Sequence, residues 1–164
     1  MTTCSFMQAG RAAVCACLVS SVAGVSGPAW AALGDIAPAV SPVNAASKAN
    51  AARLLAGGAV QVTQSVDAGG TRLSEYVATA SGEIVAYTWQ GPSAPDLGAL
   101  LGRYAADYQS GVVALHTSGR DGLHAARVDT PSVVVESGGL MRSYVGRVWL
   151  PAALPAGVTE GDLR

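Results

Sequence analysis

Val60, Val62 and Val66 alternate with Gln61, Thr63 and Ser65. A period of two predicts a strand. Two further strands are expected over residues 72–79 and 83–89, set off by the turn pairs Gly69-Gly70 and Ser81-Gly82. With two-residue turns, Val66 faces Leu73, Val62 faces Val77, Val77 faces Ala86, Thr79 faces Ile84 and Tyr76 faces Tyr87. That register gathers Val60, Val62, Val66, Leu73, Val77, Ile84 and Ala86 on one aliphatic face. Gln61, Thr63, Ser65, Arg72, Ser74, Tyr76, Tyr87 and Trp89 fall on the other.

Leu97, Leu100, Leu101, Tyr104, Ala105 and Tyr108 then recur at helical spacing. Ser93 and Asp96 have the separation of a capping box. Gly98 and Gly102, four apart, permit close packing of this helix on the sheet. Residues 112–115 either extend the helix or start a strand; residues 117–122 read as a polar turn and 123–128 as a strand. A second hairpin is expected from 132–137 and 140–150 around Gly138-Gly139, stopped by Pro151. The order β-β-β-α-β-β-β predicts an α+β fold with an antiparallel sheet, as one domain over residues 60–164. Residues 32–59 read as a flexible or loosely helical lead-in. Asn44 to Leu55 has good helix formers, but its large apolar residues are only Leu54 and Leu55.

The start of the chain reads as an address. Arg11 is followed by an apolar or small run from Ala12 to Val25, then Gly27-Pro28 and Ala29-Trp30-Ala31. This is the layout of a secretory signal peptide over residues 1–31, with cleavage expected after Ala31. Fourteen residues reach about 21 Å as a helix, short of a ~30 Å hydrocarbon core. No later segment approaches transmembrane length.

Cleavage changes the composition. The three cysteines, Cys4, Cys15 and Cys17, all lie in the signal. Residues 32–164 therefore hold no thiolate for a disulfide, a nucleophile or a metal. Of their apolar side chains, 39 are larger than Ala, enough for one modest core. The net charge of −1 for the full chain gives no basic patch for nucleic acid.

Candidate chemistry is sparse. His116 and His124 are eight apart, which suits no metal pair on a helix or a strand. There is no G-x-S-x-G, no Walker loop and no G-x-G-x-x-G. In the expected register Glu75 and Glu83 sit on opposite faces, too far apart for an acid/base pair. Four residues remain as binding candidates. Tyr76, Tyr87 and Trp89 share a face as either core or a displayed patch for sugar rings or peptide. Arg142, expected opposite Val135 and near Glu136, is a candidate for an anion or a surface ion pair.

Residues 81–92, Ser-Gly-Glu-Ile-Val-Ala-Tyr-Thr-Trp-Gln-Gly-Pro, are followed by Pro95-Asp-Leu97, Leu100-Leu-Gly102 and Tyr104. Beside them stand Ala32-Leu-Gly34, Arg72, Glu75-Tyr-Val77, Ser137-Gly-Gly139, Met141-Arg142, Gly146, Trp149, Pro151 and Leu154-Pro-Ala-Gly-Val158. Together these resemble an exported Gram-negative bacterial family catalogued as domain of unknown function 2844. The likeness is weakest at 36–59 and 109–131. It implies export, to the periplasm or beyond, and carries no assigned activity. One departure stands out: the family pattern commonly has a His between the glycines and Met-Arg, and here that position is Leu140. A catalytic imidazole there would be missing.

The chain thus reads as a non-enzymatic binding or accessory module of the cell envelope, with an envelope protein or glycan as partner and no cofactor. A small periplasmic hydrolase-like enzyme, its pocket made by tertiary packing, and an assembly protein acting through its sheet edges are the alternatives.

Overall fold

The computed structural model describes residues 31–38, 52–120, 122 and 125–164. The body of the signal-like segment, most of the lead-in after Pro38, and His124 lie outside them. Seven strands form one antiparallel sheet: β1 Arg53–Leu55, β2 Val60–Val66, β3 Arg72–Ala78, β4 Ile84–Gly91, β5 Ala125–Asp129, β6 Val134–Leu140 and β7 Ser143–Trp149. Their spatial order is β1-β2-β3-β4-β7-β6-β5. The helical run sits between β4 and β5 as α1 Leu97–Leu101, a 3-10 turn Gly102–Tyr104 and α2 Ala105–Thr117. The expected α+β class and element order are therefore present. The open stretch 112–115 is helix, and Arg53–Leu55, the end of the stretch expected to be helical, is an edge strand paired with β2. Among the described residues no helix is long and apolar enough to cross a membrane.

The expected register is one residue out. Val62 pairs with Tyr76, and Val66 with Arg72. The first turn is a five-residue loop, not a two-residue one. The Asp67 N–H donates to the Thr71 carbonyl at 2.9 Å, and its carboxylate accepts from the Thr71 N–H at 2.8 Å. Between β3 and β4, Tyr76 pairs with Ala86 and Val77 with Ile84, so Val85 bulges out of the ladder. Tyr87 consequently stands opposite Glu75, not Tyr76. The second hairpin also turns elsewhere. Leu140 pairs with Ser143, so the turn is Met141-Arg142, and Gly138-Gly139 lie inside β6.

Both faces of the sheet hold a buried apolar cluster, so the aromatic residues read as either core or a displayed patch are core. One face carries Leu73, Ile84, Tyr87, Trp89, Val135 and Val148 under the helix. The N-terminal residues join it. Leu33 is fully buried; its N–H donates to Leu100, and the Gly34 N–H donates to Ile84. The helix makes room for them at Gly102, where φ is +51° and a Cβ would stand 2.5 Å from the Ala32 Cβ. Asp96 alone caps α1, accepting from the Ala99 N–H, while Ser93 hydrogen-bonds Thr71 instead of completing a capping box.

The other face carries Val60, Val62, Tyr76, Ala86, Val134 and Trp149. Among the described residues no helix longer than one turn covers it. The segment after Pro151 folds back and seals it with Val158 and Leu163.

Candidate functional site

The C-terminal cover reaches only half of its face. It lies over the row Val62, Tyr76, Ala86, Trp149 and Val134, which pairs across five strands. Two residues along each strand, the next row is polar throughout: Gln64, Ser74, Thr88, Arg147, Glu136 and Arg127 stand side by side across six strands. Partners in an antiparallel ladder share a face, so this row is a continuous polar stripe running across the strands. All of the stripe but Arg127 lines an open cavity of about 510 Å³, together with Arg72, Trp89, Gln90, Val145, Leu163 and Arg164. At ~4.8 Å per strand the stripe is about 24 Å long.

The far end of the stripe is a charge cluster. The Arg147 Nε donates to Glu136 at 2.6 Å, and Arg127 pairs with the other Glu136 oxygen and with Asp129 and Glu160. Both guanidiniums also lie over the Trp149 ring, at 5.4 Å for Arg127 and 5.1 Å for Arg147. Partial burial pushes the Glu136 carboxyl up, but the two arginines outweigh it and hold it below the ordinary carboxylate range. It therefore stays an anion and is a poor proton carrier. The Arg72 side chain, by contrast, makes no hydrogen bond or ion pair within the described residues and lines the cavity.

The groups with raised proton affinity around Glu75 lie on the opposite face. Burial raises the Glu75 carboxyl, only partly offset by its hydrogen bond from Tyr87. Burial first, then the Glu75 charge, raise the Tyr87 phenol far above its usual value. Neither residue lines the stripe.

A family model described as a protein of unknown function, DUF2844, matches residues 29–163. The chain belongs to the DUF2844 family. No curated protein matches the chain, and no solved structure does.

The DUF2844 fold separates the residues that the pattern grouped. Tyr76 and Tyr87 are fully buried and Trp89 is 3% exposed, with Tyr76 on the C-terminal side of the sheet and the other two under the helix. They do not form one displayed patch, and of the three only Trp89 lines the cavity. Arg142 sits exposed in the β6–β7 turn at φ +66°, outside the cavity, and Glu136 is met by Arg147 and Arg127 instead. His116 lies near the end of α2. Among the described residues no group of three or more His, Cys, Asp or Glu is placed to hold a metal ion. The stripe itself was hidden in the sequence because Gln64, Ser74, Thr88, Arg147 and Glu136 are ordinary strand polars. Only the true register lines them up.

Proposed function

We infer that this DUF2844 domain is an exported, non-enzymatic binding module of the cell envelope that holds an acidic glycan along the polar stripe. The observation that carries the reading is the open cavity over that stripe with an unpaired guanidinium, Arg72, on its wall. Amide and hydroxyl groups of Gln64, Ser74, Thr88 and Gln90 supply donors and acceptors suited to sugar hydroxyls. Arg72, Arg147 and Arg164 supply fork-shaped donors suited to a carboxylate or sulfate. The length of the stripe fits a chain-like ligand. Export follows from the layout of residues 1–31, and the periplasm is the compartment the family resemblance implies. Catalysis is disfavoured because the groups with raised proton affinity face away from the cavity and the acid within it is locked as an anion.

The test is an array of acidic and neutral envelope saccharides probed with wild type and Arg72→Ala. One charge-assisted hydrogen bond contributes about 1.5–3 kcal/mol, so acidic saccharides should bind about 10- to 100-fold more weakly to the variant. A blank array, or equal binding by both proteins, would sink the reading.

A further inference from the structure

The half-buried acid on the helix side has no use in the groove. Glu75 of β3 lies beside Tyr87 of β4, its Oε2 2.9 Å from the phenol oxygen. No cation pairs with it among the described residues. Asp35, paired with Arg103, adds further negative potential at Tyr87. The same phenol lies 2.6 Å from the carbonyl oxygen of Ala31. A phenol carries one proton, so it can serve only one of these two acceptors at a time. A partly buried carboxylate with neither a cation nor a committed donor is an incomplete arrangement.

Ala31 is the residue at which the signal is expected to end. Ala32 is held independently of it. The Ala32 carbonyl accepts from the Asp35 N–H, Leu33 is tied to Leu100, and Ala32 sits over Gly102. By standard peptide dimensions the Ala32 nitrogen lies within about 5 Å of the Tyr87 oxygen.

We propose that signal removal turns this spot into an ammonium site, in which the new α-amino group of Ala32 takes the place of the Ala31 carbonyl and pairs with Glu75. The proposal rests on the cleavage reading above. An external peptidase adds one water across the Ala31–Ala32 bond. Ala31 departs as a carboxylate with the signal, and the Ala32 amine takes up a proton. Tyr87 then donates to Glu75 alone, the carboxylate gains its cation, and the N-terminal segment, already seated through Leu33 and Gly34, gains an ion pair to the sheet that the uncut chain lacks.

Intact mass of the protein recovered from the envelope comes first. A first residue other than Ala32 overturns the cleavage reading and the pairing with it. The mature protein is then labelled with an amine-reactive ester at pH 7, beside Glu75→Gln. Lys48 is the only lysine in the chain and serves as the internal standard. The α-amino group should react at least tenfold more slowly in wild type than in Glu75→Gln. By NMR its pKa should lie above the ordinary range of about 7.7–8.0 and return to it in the variant. Equal reactivity and an ordinary pKa overturn the pairing and leave the cleavage reading standing. In a second arm, Glu75→Gln should lower the thermal midpoint of the mature protein, yet raise it or leave it unchanged in the uncut full chain. A change of the same sign in both would also overturn it.

Discussion

Tyr76→Phe isolates the bond that fastens the C-terminal cover. The ring is fully buried, and its hydroxyl donates to the Arg164 carbonyl at 2.7 Å and accepts from the Arg164 N–H at 2.9 Å. Phe keeps the ring and removes only the oxygen, so no large cavity is made. Two hydrogen bonds at about 1 kcal/mol each set an upper value of about 2 kcal/mol. Arg164 is exposed, so water can replace part of what is lost, and the expected cost is about 1–2 kcal/mol. Urea unfolding of the mature chain would show it as a lower midpoint at unchanged slope. Leu163→Ala removes the neighbouring apolar anchor, and the double variant should fall short of the sum of the two by at least ~0.5 kcal/mol. A loss below ~0.5 kcal/mol for Tyr76→Phe, or strict additivity with Leu163→Ala, would refute the idea that this hydroxyl fastens the cover.

Glu136→Gln should cost about 1 kcal/mol at neutral pH, where two half-exposed charge-assisted bonds are weakened. Because the folded carboxyl titrates below its ordinary value of 4.5, the ion pairs are complete above that pH and lost as pH falls through the lower folded value. Acid titration of stability should therefore bring wild type and variant together at low pH, and a gap that widens on acidification would contradict the assignment. Met141 and Arg142 both have positive φ, 47° and 66°, the backbone that Asn-Gly favours in a two-residue turn. Met141→Asn combined with Arg142→Gly should raise stability by about 1 kcal/mol in thermal melts and leave saccharide binding unchanged; weakened binding would bring Arg142 into the site.

The helix and the three central strands were legible because their side chains keep a clean period. The faces were not. A loop of five residues at Asp67–Thr71 and a bulge at Val85 each move a strand by one, and one residue is enough to send Tyr76 and Tyr87 to opposite sides. The Gly138-Gly139 pair misled for a separate reason, while Gly146 fell within an expected strand. A Cβ at Gly139 would strike the Tyr144 ring at 2.5 Å, and one at Gly146 the Trp89 ring at 2.2 Å. These glycines make room for rings within a strand, a role that local pattern cannot tell from a turn. The polar stripe shared that fate, because its members come from six separate strands and meet only through register. The Leu33 anchor was hidden by distance, since its partner Leu100 lies beyond four strands of intervening chain.

The two ends of this chain bear on how the protein can be handled. Ala31, at the proposed cleavage point, meets Tyr87 under the helix, and Arg164 lines the groove on the reverse side. A purification tag ahead of Ala32 would abolish the free amine that Glu75 is proposed to receive. A tag after Arg164 would hang from the rim of the cavity and compete with any ligand there. An untagged preparation, or one tagged in the exposed β6–β7 turn at Met141-Arg142, leaves both faces as the chain made them.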